Sequence, residues 1–98
     1  MDDNYNYVNI VGAGTKIITN PVGVGGGKLI RIVINNPVAS GTITIYDNGA
    51  ASGNKVGTIT LPATVNSPGG SVEYGVTLKT GLTIVTTGSG IDVTVVYK

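Results

Sequence analysis

Apolar and polar residues alternate along most of this 98-residue chain. In residues 42–47, 57–61 and 72–79, every second side chain is apolar or aromatic. A period of two is typical of β-strands that bury one face, and no apolar residues recur at helical spacing. Turn-forming clusters of glycine, proline, asparagine and aspartate separate the runs. The pattern predicts eight strands, at residues 7–11, 15–19, 28–36, 42–47, 55–61, 71–78, 82–87 and 91–97.

Eight short strands separated by turns predict an all-β fold. We expect a two-sheet antiparallel β-sandwich of jelly-roll or related Greek-key topology. A chain of this length forms one domain, which we assign to residues 7–98. Residues 1–6, MDDNYN, contain two acids and no core pattern, and we assign them to a flexible N-terminal arm.

Some strands are apolar on both faces. Leu29 and Val33 flank Arg31 on the face opposite Ile30, Ile32 and Ile34. Valines also occupy the second face of the last two strands. We interpret this second face as a possible subunit interface made by Leu29, Arg31, Val33, Val85 and Val96. Two alternatives are packing of both faces within one subunit and isolated surface valines of no consequence.

Composition limits the possible functions. The net charge is +1 and the six basic residues are scattered along the sequence, so we expect neither a nucleic-acid nor a membrane partner. The chain has no cysteine and no histidine, which removes thiolate chemistry and the usual base near neutral pH. The start of the sequence, MDDNYNYVN, lacks the regions of a signal peptide, and we expect synthesis in the cytoplasm.

Two segments suggest ligand sites. Residues 21–32, PVGVGGGKLIRI, contain four glycines before Lys28, but Leu29 follows the lysine and a strand follows in place of a helix. The segment therefore matches neither the P-loop pattern G-x-x-x-x-G-K-[ST] nor the dinucleotide-binding pattern G-x-G-x-x-G. We interpret it as a flexible turn that leads into a strand. Residues 47–54 offer oxygen ligands for calcium without the EF-hand spacing, and hairpin chemistry explains them more simply. A glycosidase needs two carboxylates at a defined separation, and nothing in the sequence identifies Glu73 and Asp92 as such a pair. We therefore expect no enzymatic activity, no metal and no cofactor.

The segments RIVINNP, TITIYDNGAASGNKVGTITL and VEYGVTLKTGLTIVTTGSGIDVTVVYK carry a resemblance. They resemble small β-sandwich accessory proteins of the virions of tailed bacteriophages, of the head-decoration, cement or head-fibre type. The resemblance covers about residues 28–98, and its motifs are structural, so it carries over no catalytic or ligand residue.

The resemblance implies a non-enzymatic virion protein that binds the major capsid protein, or another virion protein, as a homo-oligomer, with a trimer favoured. The segments expected to contact the capsid are the arm and the glycine loop, represented by Asp2, Asp3, Tyr5, Val24 and Lys28. The alternative is a fibre-associated or tail-associated module that contacts a host surface glycan or another virion protein. An enzyme domain is the weakest of the three hypotheses.

Overall fold

A computed structural model describes residues 5–18, 27–64 and 70–98 of the chain. These residues form eight β-strands and no helix: β1 (Asn6–Val11), β2 (Gly14–Ile18), β3 (Gly27–Asn36), β4 (Thr42–Tyr46), β5 (Lys55–Thr60), β6 (Ser71–Leu78), β7 (Leu82–Thr87) and β8 (Asp92–Tyr97). Every strand begins and ends within one residue of its predicted bounds. The predicted all-β fold is confirmed.

The strands form two antiparallel sheets of four. The first has the order β1-β8-β3-β6 and the second has the order β2-β7-β4-β5. Within each sheet, strands from the first half of the chain pair with strands from the second half: β1 with β8, β2 with β7, β3 with β6 and β4 with β5. Strands from both sheets contribute to one hydrophobic core, so the fold is a β-sandwich.

Isoleucine, leucine and valine side chains from the two inner faces fill this core. Ile32, Val93 and Val95 of the first sheet are fully buried, as are Ile43 and Ile84 of the second. Tyr74 and Tyr97 pack against the core at its margin.

The inner face of β3 differs from the prediction. Against β8, the register shifts between Leu29 and Arg31, because Ile30 is an extra residue on β3. This β-bulge reverses the alternation, so that Leu29 is fully buried beside the core and Ile30 is only half-buried. The placement of Leu29 on the second face, and so at a subunit interface, is wrong for this reason.

Candidate interaction surfaces

The outer face of the first sheet collects three of the five residues expected at a subunit interface. Val96 lies opposite Arg31 on one side and opposite Tyr7 on the other. Val33 lies one row further along, opposite Thr94. Val85 instead lies on the outer face of the second sheet, between Thr15 and Thr44. The predicted interface residues at the surface therefore lie on two outer faces that point in opposite directions.

Polar side chains cover much of this first outer face. The Arg31 Nε donates to both carboxylate oxygens of Glu73, at 3.2 and 2.9 Å. Further along, the side-chain amides of Asn9 and Asn35 both donate to Asp92 Oδ1, at 2.7 and 3.1 Å. Glu73 and Asp92 therefore have separate partners, and nothing brings them together as a catalytic pair.

The outer face of the second sheet is rich in hydroxyl groups. Strand register places threonines around Val85 on all four strands. The Thr42 and Thr87 hydroxyls are 2.7 Å apart and hydrogen-bonded to each other. Besides the buried Thr83, the threonines of this face are Thr15, Thr42, Thr44, Thr58, Thr60 and Thr87.

Asp47, at the end of β4, is bound by the turn between β6 and β7. Its Oδ1 accepts hydrogen bonds from the backbone amides of Lys79, Thr80 and Gly81, at 3.0, 2.9 and 3.3 Å. Burial alone would raise the pKa of this carboxyl. The bonds from the three amides, with the nearby charge of Lys79, outweigh burial and hold the pKa below 3.8. Asp47 is thus a structural clamp between two turns.

The rest of the segment considered for calcium is also hydrogen-bonded internally. The Asn48 side chain donates to the Ser52 carbonyl at 2.7 Å and accepts from the Gly49 amide at 2.9 Å. The buried Thr83 hydroxyl donates to the Asn48 carbonyl at 2.9 Å. Within the described ranges, no three acidic, histidine or cysteine side chains lie close enough to hold a metal ion.

Lysines concentrate at one end of the sandwich, although they are scattered along the sequence. Lys28 and Lys98 exchange backbone hydrogen bonds of 2.9 and 2.7 Å where β3 begins and β8 ends. Lys79 follows β6 at this end, and Lys55 begins β5 beside Tyr46. We call these four residues the lysine end. Of the three acids that the structure describes, only Asp47 lies there, and backbone amides already bind its carboxylate.

Two of the residues expected to contact a capsid lie at this lysine end. Lys28 is exposed, and Tyr5 is about half exposed, with the Lys98 ammonium 5.6 Å from the centre of its ring. Asp2, Asp3 and Val24 lie outside the described residues. Sequence reasoning missed Lys55, Lys79 and Lys98, because only strand pairing brings these ends together.

A shallow groove of about 270 Å³ lies at the turn from β1 to β2. It is lined by residues 9–16, of which Lys16 alone is charged. No helix in the described part of the chain has the length and hydrophobicity needed to cross a bilayer.

No family model, curated protein or solved structure matches this chain.

Proposed function

We propose that this protein is a non-enzymatic structural component of a bacteriophage particle, a decoration protein that binds and stabilises the head shell. The observation that carries the proposal is the strand order. Strands β1 to β4 pair in turn with β8 to β5, as expected when a long hairpin folds over itself into a jelly roll. That arrangement recurs in viral capsid and lectin domains.

The side-chain chemistry supports a structural role in place of catalysis. The described acids have structural partners: Asp47 binds backbone amides, Glu73 binds Arg31, and Asp92 binds two asparagines. No buried side-chain donor or acceptor in the described residues lacks a hydrogen bond. A body whose described buried side-chain polar groups are all hydrogen-bonded suits a protein that adds contacts to a shell many times over, where repetition gives avidity.

The lysine end is the surface that we assign to the shell in this proposal. It has more positive than negative groups among its described residues, so it complements an acidic patch on the outside of a capsid. It includes Lys28 and lies beside Tyr5, whose ring centre is 5.6 Å from the Lys98 ammonium. The family resemblance suggested Lys28 and Tyr5 on separate grounds.

The test is cosedimentation of the purified protein with empty expanded heads, assembled from the major capsid protein of the same genome. Wild-type protein is expected to saturate the heads at a fixed stoichiometry. The Lys28→Glu/Lys55→Glu double variant should bind about tenfold more weakly, because it places like charges together. The matched control is Lys16→Glu, which reverses an exposed lysine in the middle of β2.

Each outcome has a separate meaning. Absence of wild-type binding to heads would overturn the proposed function. Equal weakening by Lys16→Glu and by the double variant would remove the lysine end as the contact while leaving decoration intact.

A second candidate is a fibre-associated or tail-associated module that binds a host surface glycan. The threonine hydroxyls on the outer face of the second sheet favour it, because hydroxyl groups suit hydrogen bonding to sugars. Saturable binding to host cells, lost in a Thr44→Val/Thr58→Val variant, together with no binding to heads, would support this candidate over decoration.

A further inference from the structure

Three of the four edge strands carry features that discourage pairing with another chain. β6 has a charged residue, Glu73, and an irregular register with a left-handed glycine, Gly75, at φ +63°. β5 begins with Lys55 and has a register shift against β4. On β2, Lys16 lies opposite the buried Ile84 and so faces the inner side of its sheet at an edge. Charges, bulges and inward-facing lysines are the usual protection of exposed edges.

β1 has none of these features. Its sequence, NYVNIV, contains no charge, glycine or proline, and its six residues pair with β8 without a shift. Tyr7 and Val11 on its outer side are 74% and 67% exposed. An uncharged, regular edge rich in β-forming residues is the kind that accepts another strand.

The backbone of β1 is oriented for such pairing. The Gly12 amide donates to the Ile91 carbonyl at 2.6 Å, so this position faces β8. Because hydrogen-bonding direction alternates along an antiparallel strand, Asn6, Val8 and Ile10 also bond to β8. The amides and carbonyls of the remaining residues, Tyr7, Asn9 and Val11, therefore point away from β8 along the edge.

We propose that β1 pairs antiparallel with β1 of a second copy of this chain, with Asn9 opposite Asn9. In this register Tyr7 of each copy faces Val11 of the other on the outer face, and Val8 faces Ile10 on the inner face. The three outward-bonding residues then form hydrogen-bonded pairs, with about six backbone hydrogen bonds in total. Aromatic and β-branched residues are favourable cross-strand neighbours.

A second copy fits this edge better than a different peptide for two reasons. The register is self-complementary, so both exposed residues, Tyr7 and Val11, are covered in both copies at once. The strand is uncharged and offers no electrostatic preference for a charged peptide. A two-fold symmetric dimer covers the β1 edge of both copies. Because the other three edges of each copy are protected, no further copies are added.

This inference goes beyond the proposed function, because the dimer forms without a shell. It also departs from the trimer that the family resemblance favours. The two joined sheets form one continuous eight-stranded sheet with both lysine ends exposed.

Light scattering of the purified protein tests the arrangement. The expected mass at about 100 μM is twice the 9.9 kDa of one chain. Val11→Lys places a charge opposite Tyr7 of the second copy and should reduce the mass to that of one chain. The matched control is Thr58→Lys, an exposed threonine on the protected edge β5, which should remain a dimer.

A second variant separates pairing from folding. Tyr7→Pro removes an amide that does not bond to β8, so the sandwich should fold, as judged by circular dichroism, but not dimerise. Hydrogen exchange of the wild type should slow about tenfold or more at the Tyr7, Asn9 and Val11 amides between dilute and concentrated samples. A mass of one or three chains, or a dimer that survives both β1 variants, would overturn the proposal.

Discussion

At the scale of single residues, Asp47 joins two turns that lie far apart in the sequence. Its carboxylate ties the end of β4 to the turn at residues 79–81. The turn fits closely, since a Cβ on Gly81 would lie 2.9 Å from the Asn48 carbonyl carbon. Tight backbone packing and three amide bonds to one carboxylate together fix this turn, which contains Lys79 of the lysine end.

Replacing Asp47 by alanine leaves three amides without their acceptor. We expect Asp47→Ala to lower the free energy of unfolding by about 2 kcal/mol at pH 7. Glu73→Ala is the control, because it breaks a more exposed ion pair and should cost less than about 1 kcal/mol. Urea denaturation measures both. Equal losses of unfolding free energy in the two variants would contradict the role of Asp47 as a clamp.

The same clamp predicts a pH dependence. The pKa of Asp47 is lower in the folded protein than 3.8, so its ionised form stabilises the fold. That contribution is complete above pH 3.8 and is lost as pH falls through the folded pKa. The stability difference between wild type and Asp47→Ala should therefore shrink below pH 3.8. A difference that stays constant down to pH 2 would show that the charge is not responsible.

At the scale of elements, the bulge in β3 decides which residues form the core. The run LIRIVI is apolar in both phases of a period-two pattern, so the sequence alone allowed either Leu29 or Ile30 to face inward. The extra residue on β3 resolves this in favour of Leu29 together with Ile32. β4, β6 and β8 are unambiguous because their polar residues occupy only one phase.

This difference in burial is measurable. Leu29→Ala should lower the free energy of unfolding by about 2–5 kcal/mol, because it leaves a cavity in the core. Val33→Ala, on the half-buried outer face of the same strand, should cost less than about 1.5 kcal/mol. Chemical denaturation of the two variants gives both values. A smaller loss of unfolding free energy for Leu29→Ala than for Val33→Ala would contradict the position of the bulge at Ile30.

At the scale of the whole molecule, the fold joins the two ends of the chain. β8 lies between β1 and β3, and Asn9 contacts Asp92 across 83 positions. β8 can therefore take its place only after the rest of the chain is made. Closing such long loops lowers the conformational entropy of the chain before the stabilising contacts between the strands have formed.

We expect folding in milliseconds to seconds, the range of sandwiches dominated by distant strand pairs. Stopped-flow fluorescence of the five tyrosines after dilution from urea measures the rate. A variant that ends at Gly90, and so lacks the central strand β8, should not fold. Microsecond folding, or a folded truncated chain, would contradict this dependence on the terminal strands.

The sequence by itself determined the class of fold, the strand bounds and most core residues, because period-two alternation and turn chemistry are local properties of the chain. Only the tertiary structure decided which strands pair, since no local pattern encodes a partner tens of residues away. Pairing then fixed the rest. It gathered four lysines at one end, bound Asp47 to residues 79–81, turned Leu29 inward and made β1 an edge strand without a charge, glycine or register shift. These surfaces depend on the ends and edges of strands, whose neighbours are set by topology.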